Sequence, residues 1–143
     1  MIIVTLGTYI KLSSNMEYKF RGFDATGQKG WVYGDLVHNK KVTKTGLEDR
    51  VMVGGYEVVP ESVGIYTGTK NWKGVELYEG DIVYLYYNEP NGRSVCSEAV
   101  LEWVDAGFRY HIESAFLTYK PFDRCCDIIS NVFERKMLNE SLD

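Results

Sequence analysis

From Tyr18 to Val104 the chain alternates apolar and polar residues over short runs, interrupted by Gly, Pro, Asn and Asp. That pattern predicts half-buried β-strands joined by turns. Tyr18, Phe20 and Gly22 alternate with Lys19, Arg21 and Phe23; Asp24-Ala-Thr-Gly27 supplies turn residues; Trp31-Val-Tyr-Gly-Asp-Leu-Val37 reads as the return strand of a hairpin. A polar loop is expected from His38 to Arg50, leading into Val51-Met-Val53. Gly54-Gly55 breaks the chain before Tyr56-Glu-Val-Val59, Pro60-Glu-Ser-Val63 suits a turn or one helical turn, and Gly64 to Gly68 is a short strand.

After a loop from Thr69 to Gly74 comes the most apolar stretch, Val75 to Tyr87. Within it Glu79-Gly80-Asp81 reads as a tight structural turn: Gly80 takes a positive φ and Asp81 bonds the local backbone as the strand starts. Glu89-Pro-Asn-Gly92 is a further turn, since Asn-Gly readily takes positive φ. Val95 to Val104 and Phe108 to Ile112 follow as strands around Asp105-Ala-Gly107. In the tail, Ile128, Ile129, Val132, Phe133 and Met137 suit a helical face, while Asp127 to Phe133 also suits a closing strand. A strand followed by a short helix from Glu134 is the favoured reading.

Residues 1–15 read as a leader or an extra strand ahead of Met16, and residues 16–143 as one domain. Tyr33-Gly-Asp-Leu-Val37 and Tyr78-Glu-Gly-Asp-Ile-Val83 echo one another, too briefly to define a repeat.

One strand carries a functional expectation. From Ile82 to Tyr87 alternate side chains give one face of Ile82, Tyr84 and Tyr86 and another of Val83, Leu85 and Tyr87. Neither face holds a charge, whereas a strand with one wet face would alternate with polar residues. Val83 and Leu85 are the better core residues, and the tyrosine hydroxyls suit a partly wet contact. Tyr84 and Tyr86 are therefore the interface candidates, and the protein is expected to be a homo-oligomer. Cover by the chain's own tail is the competing arrangement.

Composition narrows this further. Eleven tyrosines and 14 glycines favour short twisted strands. Net charge is −4, so there is no global positive field to draw the chain onto nucleic acid or anionic lipid. Residues 1–50 carry eight Lys or Arg against five Asp or Glu; the remainder carries eight against fifteen. This asymmetry admits head-to-tail contact between copies, or a local basic patch at Lys40, Lys41 and Lys44. Three cysteines, two of them adjacent, form no disulfide framework and fit a reducing cytosol. No stretch has the length of a membrane span, and the apolar start lacks the flanks of a signal peptide, so a cytoplasmic location is expected.

Candidate chemistry is thin. His111-Ile-Glu113, Pro121, Cys125 and Cys126 superficially resemble a deaminase zinc signature, but adjacent cysteines seldom bind one metal together. No metal or cofactor is expected. There is no Gly-x-Ser-x-Gly, no phosphate-binding or dinucleotide loop, and only His38 and His111 are available as imidazole bases. Nucleic-acid binding is harder to dismiss: Tyr84, Tyr86, Tyr87 and Trp72 are candidates to stack bases, and the three lysines to meet phosphates.

Four motifs, in order along residues 16–142, are similar to the YopX-like family of bacteriophage and prophage proteins. They are Lys19-Phe-Arg-Gly-Phe-Asp24, Trp31-Val-Tyr-Gly-Asp35, Pro60 to Gly68, and Glu76-Leu-Tyr-Glu-Gly-Asp-Ile-Val83, with Ile129-Ser-Asn-Val-Phe-Glu134 a looser match. The Thr69-Lys-Asn-Trp-Lys73 loop departs from the Asp-rich turn usual in the family. The resemblance implies a mostly β protein of small SH3-like barrels with a short C-terminal helix, phage or prophage origin, self-association and no established activity. The expected role is that of a non-enzymatic accessory protein that binds itself and a host or phage protein. The alternative is a nucleic-acid-binding β-barrel.

Overall fold

The computed structural model describes residues 18–112 and 118–142; the leader expected at residues 1–15 lies outside them. The strands are β1 (Phe20–Phe23), β2 (Trp31–Gly34), β3 (Leu36–Thr43), β4 (Gly46–Val53), β5 (Tyr56–Glu57), β6 (Gly64–Lys70), β7 (Glu76–Tyr78), β8 (Asp81–Asn88), β9 (Ser94–Val104), β10 (Gly107–Ile112), β11 (Thr118–Pro121) and β12 (Cys126–Asn131). A 3-10 turn spans Pro60–Ser62, and the helix α1 spans Val132–Leu142. The protein is thus mostly β with one C-terminal helix. No helix among the described residues is long and apolar enough to cross a membrane.

The strands pair antiparallel into three sheets, ordered β2-β1-β6-β7, β11-β10-β9-β8-β12 and β3-β4-β5. None closes on itself among the described residues, so the closed barrel expected from the resemblance is not what these pairings form. Each sheet has two edge strands, whereas a barrel has none.

The main core lies on one face of the five-stranded sheet, where Leu77, Val83, Leu85, Leu101, Tyr110 and Cys126 are buried. A second, smaller core of Val32, Val53 and Val58 lies where the other two sheets meet. Along β8 the alternation sorts as expected: Val83 and Leu85 point into the core, and Tyr84 and Tyr86 point out. Ile82, which begins the outer row, is itself buried.

The polar loop expected at His38 to Arg50 is instead an antiparallel hairpin, with β3 and β4 in register from Leu36–Val53 to Thr43–Gly46. Sequence alternation missed it because most of its length faces no core, so there is no apolar stripe to detect. Cross-strand polar contacts stand in for one. Lys40 meets Asp49 at 2.6 Å, and Arg50 Nε donates to Asn39 Oδ1 at 2.6 Å.

The tail forms a strand and then a helix. Asn131 Oδ1 accepts the Glu134 N–H at 2.9 Å, which caps the helix start. Phe133 packs on Phe23 and Trp31, at 5.6 and 5.9 Å between ring centroids, and the rest of α1 is exposed.

Candidate functional site

The two larger sheets are joined at the turn between β7 and β8, and the best-buried ion pair among the described residues holds that turn. Arg21, on β1, is 8% exposed; its Nη1 donates to Asp81 Oδ1 at 2.8 Å and its Nη2 to the Glu79 carbonyl at 3.3 Å. The guanidinium lies over the Trp31 ring at 4.9 Å and over the Tyr78 ring at 5.0 Å. Asp81 Oδ2 accepts the Tyr78 N–H at 2.8 Å. Gly80 has φ +92°, as the sequence requires, and its N–H reaches the Leu101 carbonyl while its own carbonyl takes the Val132 N–H. One turn therefore ties β1, β9 and the root of α1 together.

Burial pushes the Asp81 carboxyl above its ordinary range, against the pull of Arg21 and of the Tyr78 N–H. The structural turn Glu79, Gly80 and Asp81 expected from sequence is present. Its partner Arg21 was not legible, because the pair spans 60 positions and strand alternation carries no information about which strands meet. The echo at Tyr33 to Val37 stops at the turn: Asp35 is exposed, whereas Asp81 is buried.

Beside this turn opens a cleft of about 490 Å³ between the sheets, walled by Trp31, Trp103 and Phe133 and by Glu61, Glu79 and Glu102. His111 also lines it, with Nδ1 2.7 Å from Glu102 Oε2 and the ring stacked on Tyr119 at 4.8 Å. His111 Nε2 and Arg21 Nε are buried without a hydrogen-bond partner among the described residues, and both are shut off from solvent. Neither presents itself to a molecule entering the cleft. Ser62 is fully engaged: its hydroxyl donates to the Val59 carbonyl at 2.6 Å and accepts the Phe23 N–H at 2.7 Å.

The structure separates the residues of the superficial zinc signature. His111 on β10 and Cys126 on β12 lie three strands apart, roughly 14 Å, and Cys126 is buried in the core against the Tyr110 hydroxyl at 3.3 Å. No group of three His, Cys, Asp or Glu side chains gathers among the described residues.

Tyr84 and Tyr86 stand on the outer face of the five-stranded sheet, 45% and 36% exposed. The Tyr86 hydroxyl donates to Asp127 Oδ2 at 2.9 Å, and Trp72 lies 6.1 Å from the Tyr86 ring and donates its indole N–H to Asp127 Oδ1 at 3.0 Å. Lys73 completes the set at 3.0 Å from the same oxygen. Lys73, Trp72 and Tyr86 hold the Asp127 carboxyl below its usual range, and Asp127 in turn raises the Tyr86 phenol. Arg135 of α1 reaches Glu98, directly opposite Tyr84 on β9, at 2.6 Å, so the helix root borders this face without covering the tyrosines. Lys40, Lys41 and Lys44 lie on the β3–β4 hairpin, in a different sheet from the tyrosines. Lys41 is held 3.0 Å from Glu57.

An open, mostly β architecture with a buried Arg–Asp tie and a polar C-terminal helix is the class these features define. Over residues 19–138 the chain matches the YopX protein family, and it belongs to that family. Among solved structures it is similar to the crystal structure of protein EF1440 from Enterococcus faecalis, at 18% identity and a TM-score of 0.47. That match covers 86% of this chain and 98% of that one. No curated protein matches the chain significantly.

Proposed function

We propose that this is a phage or prophage accessory protein that acts without catalysis, as a self-associating interaction or assembly component in the host cytoplasm. The observation that carries the reading is the outer face of β8. There Tyr84 and Tyr86 are displayed on the sheet beside Trp72, with Asp127 holding the Tyr86 and Trp72 rings. Aromatic side chains held in place lose little conformational entropy when a partner covers them. Their hydroxyls tolerate a partly wet contact. The SH3-like description belongs to the same proposal and rests on the family resemblance alone.

Nucleic-acid binding is the second reading, favoured by the stackable Tyr84, Tyr86 and Trp72. Against it, two of the three candidate phosphate-binding lysines are already paired with carboxylates. Affinity capture from infected host cells, with and without nuclease, separates the two. The assembly reading expects a stable protein partner or further copies of this chain in both samples. Recovery that disappears on nuclease treatment would establish the alternative.

A further inference from the structure

The β3–β4 hairpin is an arm that its own fold leaves largely uncovered. Near its tip Val42 and Leu47 face each other across the strands, 84% and 66% exposed. Lys44, in the turn beyond them, forms no ion pair among the described residues. The arm carries Lys40, Lys41, Lys44 and Arg50 against Glu48 and Asp49, so it is basic in a chain whose net charge is −4.

The cleft beside the β7–β8 turn has the complementary character. Glu61, Glu79 and Glu102 line it beside Arg21 and His111, with Glu102 held by His111 and Arg21 held by Asp81, and Trp31, Trp103 and Phe133 wall it. A lysine on an apolar stem suits such a pocket: carboxylates meet the ammonium, and aromatic faces take both the charge and the flanking methyl groups. We propose that the arm tip of one copy seats in this cleft of a second copy, with Lys44 among the carboxylates and Val42 and Leu47 against the aromatic rim.

The arm runs away from the cleft of its own chain. The cleft residue Glu61 lies close along the chain to β5, which pairs with the arm's base at Met52 and Val53. The tip stands roughly 24 Å from that base at about 3.4 Å per residue. Edge-on pairing of β3 with another sheet is a poorer use of the arm, because Lys40 and Lys41 sit on this edge strand and charged edges resist strand addition. The contact joins two different surfaces, so it is heterologous and propagates into a ring or a filament. The inference rests on the self-association reading but not on the tyrosine face.

Charge reversal tests it in the full chain. Lys44→Glu spoils the arm and leaves the cleft; Glu61→Lys spoils the cleft and leaves the arm. By sedimentation velocity, each variant alone is expected to associate at least roughly tenfold more weakly than wild type. Lys44→Arg should associate as wild type does. Mixed one to one, the two reversed variants should recover association, because the Lys44 arm of the Glu61→Lys chain still fits the unchanged cleft of the Lys44→Glu chain. Either variant assembling like wild type, or a mixture that stays monomeric, would overturn the arm–cleft contact while leaving the tyrosine-face reading intact. A wild-type chain that is monomeric throughout would remove both. Near-ultraviolet circular dichroism confirms that each variant is folded.

Discussion

Two hairpins among the described residues have strands of at least eight residues, and they put that geometry to opposite uses. β8 and β9 are paired in register from Ile82–Val100 to Asn88–Ser94 and bury Val83, Leu85, Ala99 and Leu101. β3 and β4 are paired just as regularly, yet beyond their base they bury almost nothing. Backbone hydrogen bonding is similar in the two, so pairing alone does not decide what a hairpin contributes. Burial does: at about 25 cal/mol per Å² of apolar surface removed from water, the first hairpin stabilises the domain and the second contributes little to it.

The sharpest way to break this comparison is at the tie that holds β8 in place. Arg21→Ala or Asp81→Ala leaves a buried charge without its partner and should cost about 3–5 kcal/mol in urea unfolding. The Arg21→Leu, Asp81→Leu double variant should lose less than the sum of the two single changes. A loss below about 1 kcal/mol in either alanine variant would show that the turn is held by something else. Gly80→Val forces a side chain into φ +92° and should destabilise by more than about 1 kcal/mol, read as a lowered melting temperature. Ala106, at φ +61° in the β9–β10 turn, is the converse case: Ala106→Gly should stabilise by up to about 1 kcal/mol. On the arm, Val42→Ser with Leu47→Ser should move the stability of the single chain, diluted below any association, by less than about 0.5 kcal/mol, since both are exposed within one chain.

Acid sharpens the contrast by sign. The Asp24 carboxylate accepts the Lys29 N–H at 3.0 Å, the Thr26 hydroxyl at 2.9 Å and the Thr26 N–H at 3.1 Å, and these hold its pKa below the ordinary 3.8. Its contribution is present above that unfolded value and lost as pH falls through the lower folded one. Asp81, raised by burial, runs the other way: protonation favours the folded form, and that contribution is lost as pH rises through its folded pKa. Stability measured against pH in Asp24→Asn should therefore fall less steeply under acid than in wild type. An unchanged acid limb would remove Asp24 from the account.

Most strands were legible because one face of each meets a core. Val83 and Leu85 against Tyr84 and Tyr86 is the clearest case, and Gly80 announced its turn. The arm was not legible, since a strand exposed on both faces has the composition of a loop. β11 was missed as well; it is a four-residue edge strand containing Pro121. The Arg21–Asp81 tie was invisible for another reason: each residue lay in a recognisable motif, but only the folded chain brings the motifs together. The cleft followed the same rule, because its carboxylates come from three separate segments.

The measurement that tests the central claim most directly is the mass of the Tyr84→Ser, Tyr86→Ser double variant beside wild type, by light scattering at roughly tens of micromolar, with circular dichroism on the same samples. The account predicts that wild type is an oligomer and that the double variant stays folded with a smaller mass. A monomeric wild type would contradict it, as would a double variant that unfolds rather than dissociates.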